Sequence, residues 1–194
     1  MGLYTRPYYT TGGTSFIFFL MYYYAIQVRT RSESKYVKLF RSHYPESNFS
    51  LYFPQRKLNT IRTGKTRKSL YSIFPGYVFI ETENKEDVLS NQWRFKNIKG
   101  FFRFLKSNQD ITPLSGHNLD IVLHFIKKTG QIAGSSKVYF DNNSRIVVLE
   151  GPLKGLEGKI IKIDKRKGRA KINFDLYSDS FSVDLAFEVI EPVK

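Results

Sequence analysis

Two glycine-punctuated apolar segments, about seventy residues apart, constrain this chain more than any other feature. The first is Ile73-Phe74-Pro75-Gly76-Tyr77-Val78-Phe79-Ile80. Proline fixes φ and glycine accepts backbone angles that other residues avoid, so the segment reads as a tight turn feeding a buried strand. The second is Val148-Leu149-Glu150-Gly151-Pro152-Leu153-Lys154-Gly155-Leu156-Glu157-Gly158-Lys159-Ile160. It reads as two strands joined by a glycine loop, with the basic run Lys165-Arg166-Lys167-Gly168-Arg169 close behind.

The elements around the first segment alternate in type. Tyr22–Val28 is β-rich. Ser32 is placed to cap a helix to about His43, with Tyr36, Leu39 and Phe40 at helical spacing and Pro45 ending it. Leu51–Ile61 and Arg67–Ser72 read as hairpin arms around Thr63-Gly64-Lys65. After the Gly76–Glu81 strand, Lys85–Trp93 predicts a short helix with Val88, Leu89 and Trp93 on one face. Phe101–Leu105 returns to strand, and a helix opening at Ser115 or Asn118 carries Leu119, Val122, Leu123 and Ile126 before Gly130 stops it. This order predicts an α+β sandwich over residues 21–129, with helices against an antiparallel sheet. Residues 130–143, rich in Gly, Ser and Asn, read as a linker.

Residues 144–194 show only short strands: Arg145–Glu150, Lys159–Asp164, Arg169–Phe174, Phe181–Leu185 and Phe187–Ile190. They predict a small all-β barrel whose limited core makes it the less stable domain. Residues 1–20 fit neither domain. The apolar run Phe16–Ala25 is shorter than the roughly twenty residues a membrane span needs, and no small-residue cleavage site precedes the strand it enters. The simpler reading is a disordered extension or misassigned start, with the functional protein beginning near Met21 and no membrane partner.

A formal net charge of +14 over 194 residues points to an anionic partner, nucleic acid first. The bland alternative is a basic protein without one. Most of the excess lies between Met21 and Ser136, but the second half concentrates Lys159, Lys162, Lys165, Arg166, Lys167, Arg169 and Lys171 around a single acid, Asp164. Period-two alternation in Arg169–Phe174 sets Ala170, Ile172 and Phe174 on one face and Arg169 and Lys171 on the other. These seven cations are candidate RNA contacts; a solvated, charge-decorated hairpin is the competing reading. The hairpin around Gly64 has no acid between Leu51 and Ile80, and Arg62, Lys65, Arg67 and Lys68 are candidates for upstream DNA or emerging RNA, with a solvated hairpin again the competing reading. The chain has no cysteine, and His43, His117 and His124 are scattered, so neither a metal site nor a cofactor is expected. No nucleophile–base pair, paired acids or phosphate-binding glycine loop points to an enzyme.

The run Gly151–Ile160 resembles the KOW signature, which ribosomal proteins also carry. Phe74-Pro75-Gly76-Tyr77 resembles the segment by which NusG-family transcription factors grip the clamp helices of RNA polymerase. Phe95-Lys96-Asn97-Ile98-Lys99-Gly100-Phe101 is similar to a further family segment, with Lys99 where proline is common. The resemblance to the NusG family runs from about Tyr22 to Ile190. It implies an α+β NGN domain plus a small KOW barrel, in a monomeric, cytoplasmic bacterial factor.

The resemblance further implies that Phe74, Pro75 and Tyr77 form a polymerase-binding aromatic pocket, against the plainer reading of core aromatics. Gly76, Gly151, Gly155 and Gly158 are then structural glycines. Where general NusG proteins usually have a Phe-Gly-Arg-type turn, this chain has Asp175-Leu176-Tyr177-Ser178-Asp179. The basic barrel segment resembles LoaP, a specialised antitermination branch, more than the RfaH-like branch. LoaP-type resemblance implies recruitment at a leader RNA hairpin and read-through in selected operons. The alternatives are a general NusG factor acting on all genes and a KOW-containing ribosomal or RNA-chaperone protein.

Overall fold

The computed structural model describes residues 5–8, 17–62, 65–105 and 107–191. Strands β1 (Thr5–Tyr8), β2 (Ile17–Leu20) and β3 (Tyr22–Val28) precede helix α1 (Glu33–His43). Strands β4 (Ser50–Tyr52), β5 (Gln55–Arg62), β6 (Lys65–Ser72) and β7 (Tyr77–Thr82) lead to the short helices α2 (Lys85–Ser90) and α3 (Gln92–Lys96). Strand β8 (Phe101–Phe104) is followed by α4 (Gly116–Leu123), which continues as a π-helical turn, His124–Lys128. The remaining strands are β9 (Ile132–Ala133), β10 (Ser136–Phe140), β11 (Ile146–Glu150), β12 (Ile160–Asp164), β13 (Arg169–Leu176) and β14 (Asp179–Val189). No helix among the described residues is long and apolar enough to cross a membrane. The chain forms two compact units, one of residues up to Phe53 with Pro75–Asp120, the other of Pro54–Phe74 with the chain from Ile121 onward.

The first unit is an antiparallel sheet of order β4-β7-β3-β8 with α1, α2 and α3. Every residue of β7 is buried, and its first four, Tyr77–Ile80, read as a continuous apolar run rather than an alternating one. Tyr36, Val37 and Phe40 of α1 pack with Val78 and Ile80 of β7 and with Phe95 and Phe104. The Pro-Gly turn closes on this core. The Gly76 N–H donates to the buried Glu33 carboxylate at 2.6 Å, and the Val28 N–H donates to the Gly76 carbonyl at 2.8 Å. The buried Glu81 accepts from the Tyr23 hydroxyl at 2.6 Å. Outside this sheet, Thr5–Tyr8 pairs antiparallel with Ile17–Leu20, so the expectation of a disordered segment over residues 1–20 is corrected for these eight residues. Their backbone partners lie in the same stretch of chain, which a scan for long-range alternation does not detect.

The expected Lys85–Trp93 helix is broken in two at Asn91, whose backbone and side-chain N–H groups both donate to the Asp87 carbonyl. The break rotates the second segment. Val88 and Phe95 are buried, whereas Leu89 is 46% and Trp93 50% exposed, so the one-face stripe is corrected.

The second unit contains a five-stranded sheet of order β11-β10-β14-β13-β12 and a three-stranded sheet of order β6-β5-β9. Burial alternates from Phe181 to Glu188, merging two expected strands into β14. The expected linker is corrected at Ser136–Phe140, which pairs antiparallel with β11 and parallel with β14. The hairpin around Gly64, expected within residues 21–129, groups here instead: Gln55 and Arg56 pair with Ile132 and Ala133, and Leu58 is buried. Phe74, Phe125, Phe174 and Phe181 form an aromatic cluster in this unit, with Phe74 centroids 5.3–5.8 Å from the other three.

His124 is buried, and its Nε2–H donates to the Pro152 carbonyl at 2.7 Å. Burial lowers its pKa below the ordinary 6.5. Above that pH both folded and unfolded chains hold a neutral ring. Below it the unfolded chain binds a proton that the fold resists, so stability falls with acidification until the folded ring protonates too. The urea midpoint should therefore drop between pH 7.5 and 5.5 by more in the native chain than in His124→Gln. Equal drops would exonerate this ring.

Candidate nucleic-acid interface

The basic hairpin β12–β13 forms as its alternation requires. Ala170, Ile172 and Phe174 are buried, and Arg169 and Lys171 face outward. Lys162 stands opposite Lys171, and Lys171 stands opposite Asp184 of β14, giving a cation–cation–anion row across three strands. Like charges directly opposed repel, so the row favours an added anion. Lys171 Nζ lies 4.0 Å from Asp184, and Lys167 Nζ lies 3.6 Å from Asp164. The Lys167 backbone N–H also donates to Asp164, and with the neighbouring cations this holds the carboxyl below its ordinary pKa. Lys162, Lys167, Arg169 and Lys171 line one concavity with both acids.

The other expected RNA contacts sit apart from that concavity. The Lys165 ammonium lies 3.9 Å above the Phe140 ring, Arg166 is exposed, and Lys159 is half-buried at a short 3-10 turn. The Arg169 guanidinium donates to the Asn59 carbonyl of β5. Asp184 was invisible in the linear charge pattern, because only the antiparallel return of β14 brings it beside Lys171. Strand β12 forms one edge of its sheet, with Ile161 61% exposed beside Lys162.

On the β5–β6 hairpin, Lys65, Arg67 and Lys68 are exposed. Arg62 pairs with Lys65 in the ladder, and the tip residues 63–64 lie outside the described residues. Lys57, a further cation of the hairpin on β5, is exposed as well. Arg56 faces the other way, its guanidinium 5.9 Å from the Tyr71 ring.

Two glycines are dictated by space as well as by angle. A Cβ on Gly151 (φ +97°) would lie 2.6 Å from Ser136 Cα, and one on Gly168 (φ +59°) 2.7 Å from the Phe187 carbonyl. Gly168 was not among the expected structural glycines. Gly76 has φ +84° with Thr30 close by, and Gly155 has φ +84° in open space. Gly158 has neither a positive φ nor a crowding neighbour, so its structural role is corrected.

The aromatic pocket is corrected as well. Phe74 is 0% and Tyr77 3% exposed, and Pro75 is the exposed member of the trio. Phe74 is held by Phe125, Phe174 and Phe181 in the second unit. Tyr77, in the first unit, accepts from Gln27 Nε2 through its hydroxyl at 2.6 Å. Rings with this much apolar area gain more from burial than from standing at a sheet edge. Phe74→Ala is accordingly expected to cost about 3–5 kcal/mol of stability. Denaturant unfolding measures it, and a cost below about 1 kcal/mol would show that the ring is not part of a core.

Comparison with known proteins divides the chain in sequence order, with the β5–β6 hairpin falling in its N-terminal part. The family model described as transcription termination factor nusG matches residues 21–123, and the KOW motif matches residues 143–173. The transcription termination/antitermination protein NusG of Buchnera aphidicola (subsp. Acyrthosiphon pisum) is 26% identical over 176 residues, covering 87% of this chain and 94% of its own. The protein of the same name from Borreliella burgdorferi is 25% identical over 184 residues, covering 88% and 98%. A solved structure described as domain interaction in Thermotoga maritima NusG shares 19% identity at a TM-score of 0.43, covering 86% of this chain and 93% of that one. With the nusG model spanning more than half of its length and a KOW motif behind it, this chain belongs to the NusG family of transcription termination factors.

Proposed function

We propose that this protein is a transcription elongation and antitermination factor that binds RNA polymerase through its N-terminal region and RNA through its KOW region. The observation that carries the reading is the pairing, in one chain, of the NusG region at 21–123 with a KOW region whose β12–β13 hairpin presents Lys162, Lys167, Arg169 and Lys171 outward. Cations on one rigid face neutralise several phosphates at once and release their counterions. The mechanism is binding without chemistry. The first contact, to polymerase, raises the effective concentration of the second, to RNA. Polymerase contact is assigned to the segment Phe74, Pro75 and Tyr77, of which Pro75 is open in this structure; an aromatic contact there requires the two rings to leave their packing.

A LoaP-like role, read-through of terminators in a few operons, is favoured over a general one by the barrel's last turn. Tyr177, at φ +54°, and Ser178 form a two-residue hairpin turn between Leu176 and Asp179, in place of the general factors' Phe-Gly-Arg type. Genome-wide occupancy of the tagged protein alongside RNA polymerase tests the assignment. Signal confined to a few long operons is expected; signal tracking polymerase everywhere would make the protein a general factor. In vitro, reversing Lys165, Arg166 and Lys167 to Glu should weaken RNA binding and flatten its salt dependence. An unchanged slope would remove this turn from the RNA site.

A further inference from the structure

The β5–β6 hairpin and the β12–β13 turn meet around a second concavity. Lys57 and Asn59 stand two residues apart on the exposed face of β5, and the register sets Lys68 opposite Asn59. Beyond Arg56, β5 has no strand on its second side among the described residues, and Arg169 donates to the Asn59 carbonyl there. Gly168 brings the turn backbone against β14, where the Phe187 N–H donates to its carbonyl at 2.8 Å. Lys57, Lys68, Lys167 and Arg169 thus line one groove of about 280 Å3. One acid, Glu188, also lines it, and the β10–β14 register sets Glu188 beside Lys137.

Four cations against one carboxylate repel one another, and no acid between Leu51 and Ile80 relieves the hairpin side. An anion with regularly repeated charge relieves all four together. The space is on the scale of a small-molecule site and admits the backbone of one strand rather than a base-paired duplex. Lys57, Lys68 and Lys167 supply point charges, and the N–H groups of Arg169 left after its bond to Asn59 supply directional donors.

We propose that this groove holds the phosphate backbone of a single nucleic-acid strand, with the two hairpins as its walls. The inference rests on the RNA-binding reading above and extends it to Lys57 and Lys68, which lie outside the KOW motif.

The test is fluorescence anisotropy of the full chain with a mixed-sequence single-stranded RNA, the same sequence as single-stranded DNA, and its duplex, across a salt series. The double variant K57A/K68A removes two exposed side chains, so thermal unfolding should be unchanged. Its log K against log salt slope on the single strand should be shallower by about 0.7 per lost contact, about 1.4 in total. A native slope in K57A/K68A overturns the groove. If reversal of Lys165, Arg166 and Lys167 still flattens the slope, the RNA-binding reading survives that loss. No salt-dependent binding of any probe by the native chain overturns both. Preference for the duplex overturns the single-strand assignment, whereas preference for either single strand supports it and identifies that strand as RNA or DNA.

Discussion

The burial of Phe74 organises the basic half of this molecule. Phe74 follows β6 by two residues, and its ring is enclosed by Phe125, Phe174 and Phe181. Phe174 and Phe181 belong to β13 and β14, the strands that carry Arg169, Lys171 and Asp184. One apolar anchor therefore fixes the foot of the β5–β6 hairpin relative to the outward cations of the KOW region. The Arg169–Asn59 hydrogen bond and the pairing of Gln55 and Arg56 with β9 complete the attachment. Burying four phenylalanines supplies far more free energy than these polar contacts do, so the polar contacts set position rather than stability.

On that frame the charges are arranged rather than merely abundant. Lys167 and Lys171 each have a carboxylate within 4.0 Å, which limits self-repulsion without cancelling the surplus. Such exposed pairs are worth little energetically and are readily exchanged for phosphate. Arg169 differs: it holds protein backbone with one donor and keeps the rest of its fork for another acceptor. The face thus combines a contact that holds the scaffold with cations that stay open to solvent.

Much of the fold was legible in the sequence because its periodicities are strong. The α1 stripe of Tyr36 and Phe40, the apolar Tyr77–Ile80 run of β7 and the alternating β13 all appear where pattern places them. What escaped depends on partners distant in the chain. β10 lies in a Gly- and Ser-rich stretch with weak propensity and forms because β11 and β14 flank it. Phe74 was read from its neighbours in sequence, yet its environment is set by residues some fifty and one hundred positions away. The outward cations of β13 were legible, whereas the acids that temper them and the second wall of the groove were not, since alternation assigns a side chain to a face and says nothing of what lies opposite.

Ile161 gives Lys162 of β12 a second consequence. This edge strand exposes a large aliphatic side chain beside Lys162, with no neighbouring strand on its outer side among the described residues. An unpaired, apolar strand edge is a template for pairing with another copy, and positive charge beside it keeps copies apart. Were a polyanion to neutralise that charge, the strand edge would lose this protection, and copies held close together would tend to cluster.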